Sequence, residues 1–155
     1  MKAIHWISAA AGFAFFQPAQ AAETDPEVII YRFPGVRDDG GADNVGVATV
    51  FHCTNFSGVQ ENLRFVTRSP GGTLKTNLPL LIGHLLTRTI ATHFNLAYGI
   101  DLNLATGVLS SGTTAIAATS TSIICTAMTI DAANPKPDGV ALRAIRFNPV
   151  PGSQE

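Results

Sequence analysis

Apolar and polar residues alternate with a period of two along most of this chain, the pattern of strands with one buried face. In VGVATVFHCTN, residues 45–55, Val45, Val47, Phe51 and Cys53 share one parity. A strand here carries Cys53 on the face of the large apolar residues and His52 on the opposite face. ENLRFVTR, residues 61–68, sets Leu63 and Phe65 against Arg64, Val66 and Arg68. After the turn SPGG at 69–72, TLKTNLPLLI brings Leu74, Leu78, Leu80 and Ile82 into register, so the two segments predict a hairpin. Pro79 lies inside the second of them and marks an edge strand or a bulge.

VIIYRF, residues 28–33, reads as a strand, and FPGVRDDGGADNVG as a turn-rich loop ending near Gly46. HLLTRTIATHF is a further strand candidate with less clearly separated faces. No charged residue occurs from Leu102 to Ile130. Alanines there could suggest a helix, but β-branched residues and glycines predict two strands, near Thr113–Thr119 and Thr121–Ile130. In GVALRAIRFN, Val140 and Leu142 share one parity while Ile145 and Phe147 take the other, so a bulge is expected near Arg143. The tail PVPGSQE reads as coil. Seven or eight short strands without an amphipathic helix predict an all-β fold, an antiparallel β-sandwich.

The first residues change the picture of where the chain works. Lys2, an apolar run from Ile4 to Phe16 and Pro18 before Ala19-Gln20-Ala21 form a secretory signal, residues 1–21, with the cut expected after Ala21. The run is shorter than the ~20 residues a membrane span needs. Of the 155 residues, 22–155 remain as one domain with a short polar lead. Export to the periplasm or beyond is expected, with no membrane insertion after cleavage, and the signal has bacterial character. Ten basic and eleven acidic residues give a net charge of −1, and losing Lys2 leaves it near −2. A near-neutral surface offers no electrostatic footprint for nucleic acid or an anionic membrane.

Cys53 and Cys125 are the only cysteines, and in an exported chain a disulfide is the expected state. Both share parity with apolar neighbours, which suits a bridge between two sheets through the core. An early and a late strand joined across a core resembles an immunoglobulin-like or fibronectin-like sandwich. The tryptophan of true immunoglobulin domains is missing, and Phe65 is the nearest substitute. ATVFHCTNFSG, LRFVTRSPGGTL, ICTAM and RFNP also resemble small exported bacterial proteins of uncharacterised function, a likeness covering most of 22–155. That group has no known activity to carry over.

Candidate chemistry is sparse. A blue-copper site needs a cysteine followed closely by histidine and methionine; TAM after Cys125 supplies Met128 alone. Zinc would have to draw on His52, His84 and His93, which lack close spacing. In DDGGADN, Asp38, Asp39, Asp43 and Asn44 are weak calcium candidates, with a solvated turn as the preferred reading. No nucleophile elbow or phosphate-cradling glycine loop is present. His52, Arg64 and Arg68 form the candidate binding patch, because arginine suits bidentate contact with carboxylates or phosphates. Asn55-Phe56-Ser57 fits a glycosylation sequon but reads more simply as turn formers. The charge-poor segment 102–130 allows a homo-oligomer or protein partner through strand edges, with burial inside a sheet as the competing explanation.

These observations predict an exported, disulfide-stapled module that is structural or binds an unknown ligand, with no cofactor and no catalysis. A hydrolase with a dispersed Ser/His/Asp site and a self-assembling surface protein are the alternatives.

Overall fold

Two five-stranded sheets face each other across one core in the computed structural model, which describes residues 26–147. The expected signal, 1–21, and the tail from Pro149 lie outside the described residues. The strands are β1 (Val28–Asp38), β2 (Val47–Asn55), β3 (Glu61–Arg68), β4 (Leu74–Ile82), β5 (Thr87–Ala91), β6 (Leu102–Asn103), β7 (Leu109–Ala118), β8 (Ile123–Asp131), β9 (Gly139–Leu142) and β10 (Ile145–Arg146). The first sheet has the order β10-β1-β7-β3-β4 and the second β6-β5-β2-β8-β9. Every pairing is antiparallel except β5 with β6.

Alternation along each strand fills the space between the sheets. Leu63 and Phe65 from β3 meet Phe51 and Cys53 from β2, with Phe33 and Ile116 beside them. The rings of Phe33 and Phe51 lie 5.5 Å apart, and those of Phe51 and Phe65 5.6 Å. Each such contact adds about 0.5–1.5 kcal/mol to the burial itself. A second apolar layer covers part of the outer face of the second sheet. There Ala48, Val50, Ala91, Ile130 and Ala132 pack beneath Ala97, Tyr98 and Ile100 of the segment after β5. β2 is therefore buried on both faces near its start, which is why VATV shows no clean alternation.

The predicted hairpin is β3 and β4, closed by Ser69 and Thr73, and the strand with Pro79 is the edge of the first sheet. Four expectations are corrected. β1 does not stop at Phe33 but continues to Asp38 through register shifts at Pro34–Val36 and Val36–Asp38, with Gly35 at φ +79°. The strand expected over HLLTRTIATHF is confined to Thr87–Ala91, after a turn at 83–86. The parity change in GVALRAIRFN is not a bulge: β9 pairs with β8 in the second sheet and β10 with β1 in the first. The chain crosses between sheets at Arg143–Ala144; Leu142 and Ala144 pack against the core, while Ile145, paired with Arg32, lies on the outer face of the first sheet.

The fourth correction concerns the staple. Cys53 and Cys125 are bonded, but they sit directly opposite one another on neighbouring strands β2 and β8, with Cα atoms 4.2 Å apart. The bridge runs within the second sheet, not between sheets. Parity correctly turns both sulfurs toward the core, yet it cannot distinguish facing sheets from adjacent strands. In immunoglobulin domains the two cysteine strands belong to opposite sheets, so that resemblance extends to the layered architecture and not to the staple. The charge-poor segment is also explained by placement. β7 lies between β1 and β3, and β8 between β2 and β9, so neither long strand in it is an edge.

Candidate functional site

The sandwich has two ends. One carries the connections β2–β3, β4–β5 and β7–β8; the other carries β1–β2, the β3–β4 turn, the segments flanking β6, and β8–β9. The second end holds a polar concavity. β1 enters it with Val36 and Asp38 facing inward, and Asp38 is only 2% exposed. A carboxylate there needs partners, and it has three. Asp38 Oδ1 accepts from the Gly40 N–H (2.6 Å) and faces His93 Nδ1 at 2.9 Å, while Oδ2 accepts from the Thr106 hydroxyl at 2.7 Å. His93, also buried, turns Nε2 to the Val45 carbonyl at 3.1 Å. These contacts tie together the β1–β2 loop, the segment after β5 and the segment before β7. Gly40 fits because its backbone, at φ +65°, presses against Val108; a Cβ there would come within 2.6 Å of the Val108 nitrogen.

Beside this clasp lies an open cavity of about 260 Å³, lined by Asp38, Asp43, Thr92, His93, Asn103 and backbone at Gly40, Gly41, Ala105 and Gly107. Its lining holds two carboxylates and no lysine or arginine, so it suits neutral or cationic polar groups over anions. At ~30 Å³ for each water-sized group, it admits a small molecule or one unit of a larger one.

The arrangement does not form a nucleophilic triad. A base must take the proton of a hydroxyl through the nitrogen opposite its carboxylate, and here that nitrogen faces a carbonyl. The nearby hydroxyl, Thr106, donates to Asp38 instead.

The candidate binding patch is not brought together. β2 and β3 are consecutive but belong to different sheets, so His52 lies on the outer face of the second sheet and Arg64 and Arg68 on that of the first. Arg64 is engaged by Glu27 at 2.5 Å, with Asn62 also on Glu27, and Arg68 donates to the Gly72 carbonyl. His52 Nδ1 is 3.1 Å from the Thr89 hydroxyl, and its ring stands edge-on to Tyr98 at 4.7 Å. Burial there lowers its pKa, because the charged imidazolium loses solvation.

The calcium candidates are divided as well. Asp38 is internal and engaged, Asp39 Oδ2 accepts from the Val47 N–H, and Asp43 lines the cavity mouth. The zinc trio is dispersed: His52 on a sheet face, His93 in the clasp, and His84 at the opposite end, where Nδ1 accepts from the Gly58 N–H. Among the described residues no three His, Cys, Asp or Glu side chains converge. The sequon asparagine is a buried turn former, Asn55 Nδ2 donating to the Val59 and Ile82 carbonyls.

Sequence reasoning missed His93 with Asp38 as a pair, and Thr106 and Asn103 altogether. One signal existed: had β1 been extended past Pro34, Asp38 would have shared parity with Val36, and an inward carboxylate demands a partner. The chain matches no family model, and no curated protein or solved structure is similar enough to count as a match.

Proposed function

We propose that the protein is an exported, non-catalytic binding module that takes a small polar ligand at the β1–β2 end of its sandwich. The observation that carries this reading is the cavity beside Asp38, whose walls come from three separate segments and are held by one buried carboxylate. Rigid walls with few convergent polar groups are the usual form of a small-molecule site. The in-sheet staple supports a domain built to persist outside the cell. Kinship with immunoglobulin-like modules, or with small exported bacterial proteins, adds architecture and compartment but no ligand.

The test is a ¹H–¹⁵N spectrum of the folded protein titrated with monosaccharides, amino acids and polyamines. A ligand of the expected class shifts the amides of Gly40, Gly41, Ala105 and Gly107 together, and Asn103→Ala weakens the response. If no compound moves those amides, the cavity reading is lost. The hydrolase alternative retains one favourable observation, the His93–Asp38 pair in a cleft. Turnover of a chromogenic ester that disappears in His93→Ala would restore it; no such turnover is expected.

A further inference from the structure

A histidine has two ring nitrogens, and what each one faces decides whether it must carry a hydrogen. At His93 both face acceptors. Nε2 lies 3.1 Å from the Val45 carbonyl, which can only accept. Nδ1 lies 2.9 Å from Asp38 Oδ1, an oxygen that already accepts from the Gly40 N–H, while Oδ2 takes the Thr106 hydroxyl. A neutral imidazole has one N–H, so it would set a bare nitrogen against an oxygen lone pair at one of these two contacts. Only an imidazolium donates to both. Its charge is buried together with the Asp38 carboxylate, and the pair is neutral as a unit.

Which contact gives way when a proton leaves follows from the two acceptors. A carboxylate holds a donor more strongly than a neutral carbonyl does, so Nδ1 keeps its hydrogen and Nε2 loses the one aimed at Val45. What is released is the far end of the β1–β2 loop. Asn44, next to Val45, holds φ +62° and donates its N–H to the Phe94 carbonyl, one residue beyond His93. The same loop supplies Gly40, Gly41 and Asp43 to the cavity wall. Of the other groups that titrate nearby, Asp43 shares that wall with His93, Asp39 is turned to the Val47 N–H, and Asp131 on β8 accepts from the Ala133 N–H. Asp101 pairs with Arg88, and Tyr98 turns its hydroxyl to Met128. Arg37, beside Asp38 on β1, is exposed where Asp38 is buried, and residues 102–130 bring nothing that titrates apart from the bonded Cys125.

We infer that the His93–Asp38 pair is a proton-held latch: protonated at both ring nitrogens it pins the loop that walls the cavity, and loss of the Nε2 hydrogen frees the Val45 end of that loop. The latched form binds one proton more than the released form, so the hold is present on the acidic side and is lost as pH rises through the titration of the ring. A histidine whose charge biases a mobile element is a common form of pH sensor. As a control on ligand entry the latch rests on the cavity reading above; as a property of the loop it does not.

The test is a pH titration of the folded protein without ligand, followed by the ¹⁵N signals of the His93 ring and by hydrogen exchange of the Asn44 amide. Both ring nitrogens should show the protonated shift at the acidic end of the folded range, and with rising pH Nε2 alone should move to the bare-nitrogen shift. The Asn44 protection factor, corrected for the intrinsic pH dependence of exchange, should fall about tenfold or more at the same midpoint. In His93→Gln, whose side chain donates but does not titrate, Asn44 protection should show no such step. A ring with one bare nitrogen at every pH where the domain is folded overturns the inference, and so does a ring that keeps both hydrogens until the domain unfolds. Loss of the Nδ1 hydrogen first, or a ring titration that leaves Asn44 protection unchanged, overturns it as well. Each of these outcomes is read on the unaltered protein, so none requires His93→Gln to fold. A latch that titrates as expected in a cavity that binds nothing would sink the binding reading alone.

Discussion

Replacing Asp38 tests whether the clasp, and not the core alone, holds the cavity end together. In Asp38→Ala the Gly40 N–H and His93 Nδ1 lose their partner, and the Thr106 hydroxyl keeps only the Gly107 carbonyl. Leaving a buried hydrogen-bonding group without its partner costs about 1–3 kcal/mol for each group. Two groups lose their partner here and the adjoining cavity admits water to them, so a loss of ~3 kcal/mol is expected. His93→Ala leaves the carboxylate with two donors and should cost less, ~2 kcal/mol, as should the near-isosteric Asp38→Asn. Because both residues belong to one network, the double alanine variant should be less destabilised than the sum by ~1–2 kcal/mol. Equilibrium urea unfolding reads these differences: with a slope of ~2 kcal/mol/M, Asp38→Ala moves the midpoint by about 1.5 M at unchanged slope. A shift in Asp38→Ala below ~0.5 kcal/mol, or additivity within the same margin, would refute the clasp as a structural unit.

Three other outcomes follow from the same structure. Cys53→Ala/Cys125→Ala opens a loop spanning 72 residues, which on chain entropy removes about 4.4 kcal/mol. For a domain of this size that is a melting-temperature fall of ~15 °C by calorimetry, and a fall under ~5 °C would rule out the entropic account. His52 has its pKa depressed in the folded state, so the unfolded chain takes up its proton first as pH falls. Its contribution is fully present above its unfolded value, about 6.5, and is lost as pH falls from there through the folded value. The melting temperature should therefore drop less between pH 8 and pH 5 in His52→Gln than in the unaltered protein, and parallel pH profiles would contradict this. Since the oxygens of Asp38 are internal and occupied, melting should be the same in calcium as in chelator; a calcium-dependent rise would restore the loop as a cation site.

Much of the sheet structure was legible because strand alternation is a local signal that the core enforces. Leu63 and Phe65, the SPGG turn and Pro79 each announced their place without knowledge of any other segment. What escaped depends on partners distant in sequence. Nothing local to Cys53 says that β8 returns beside β2, and nothing in RAIRF says that the chain changes sheets between Leu142 and Ile145. The candidate patch failed for the same reason: Arg64, Arg68 and His52 were judged by their faces correctly, but not by their sheets. The clasp was hidden by a misplaced strand end, which left Asp38 in a supposed loop where a charged residue raises no question.

The path of β1 sets an order on folding. Among the described residues its sheet partners are β7 and β10, so the first strand gains its first neighbour only after β7 has been synthesised and its second only after β10. Pairings of such long range close slowly, because the intervening chain must be ordered before they form. A polypeptide with this wiring keeps its first strand unpaired while most of the sandwich is still being made. The adjacency of first and last strands thus acts as a timer, delaying folding until the whole domain has emerged.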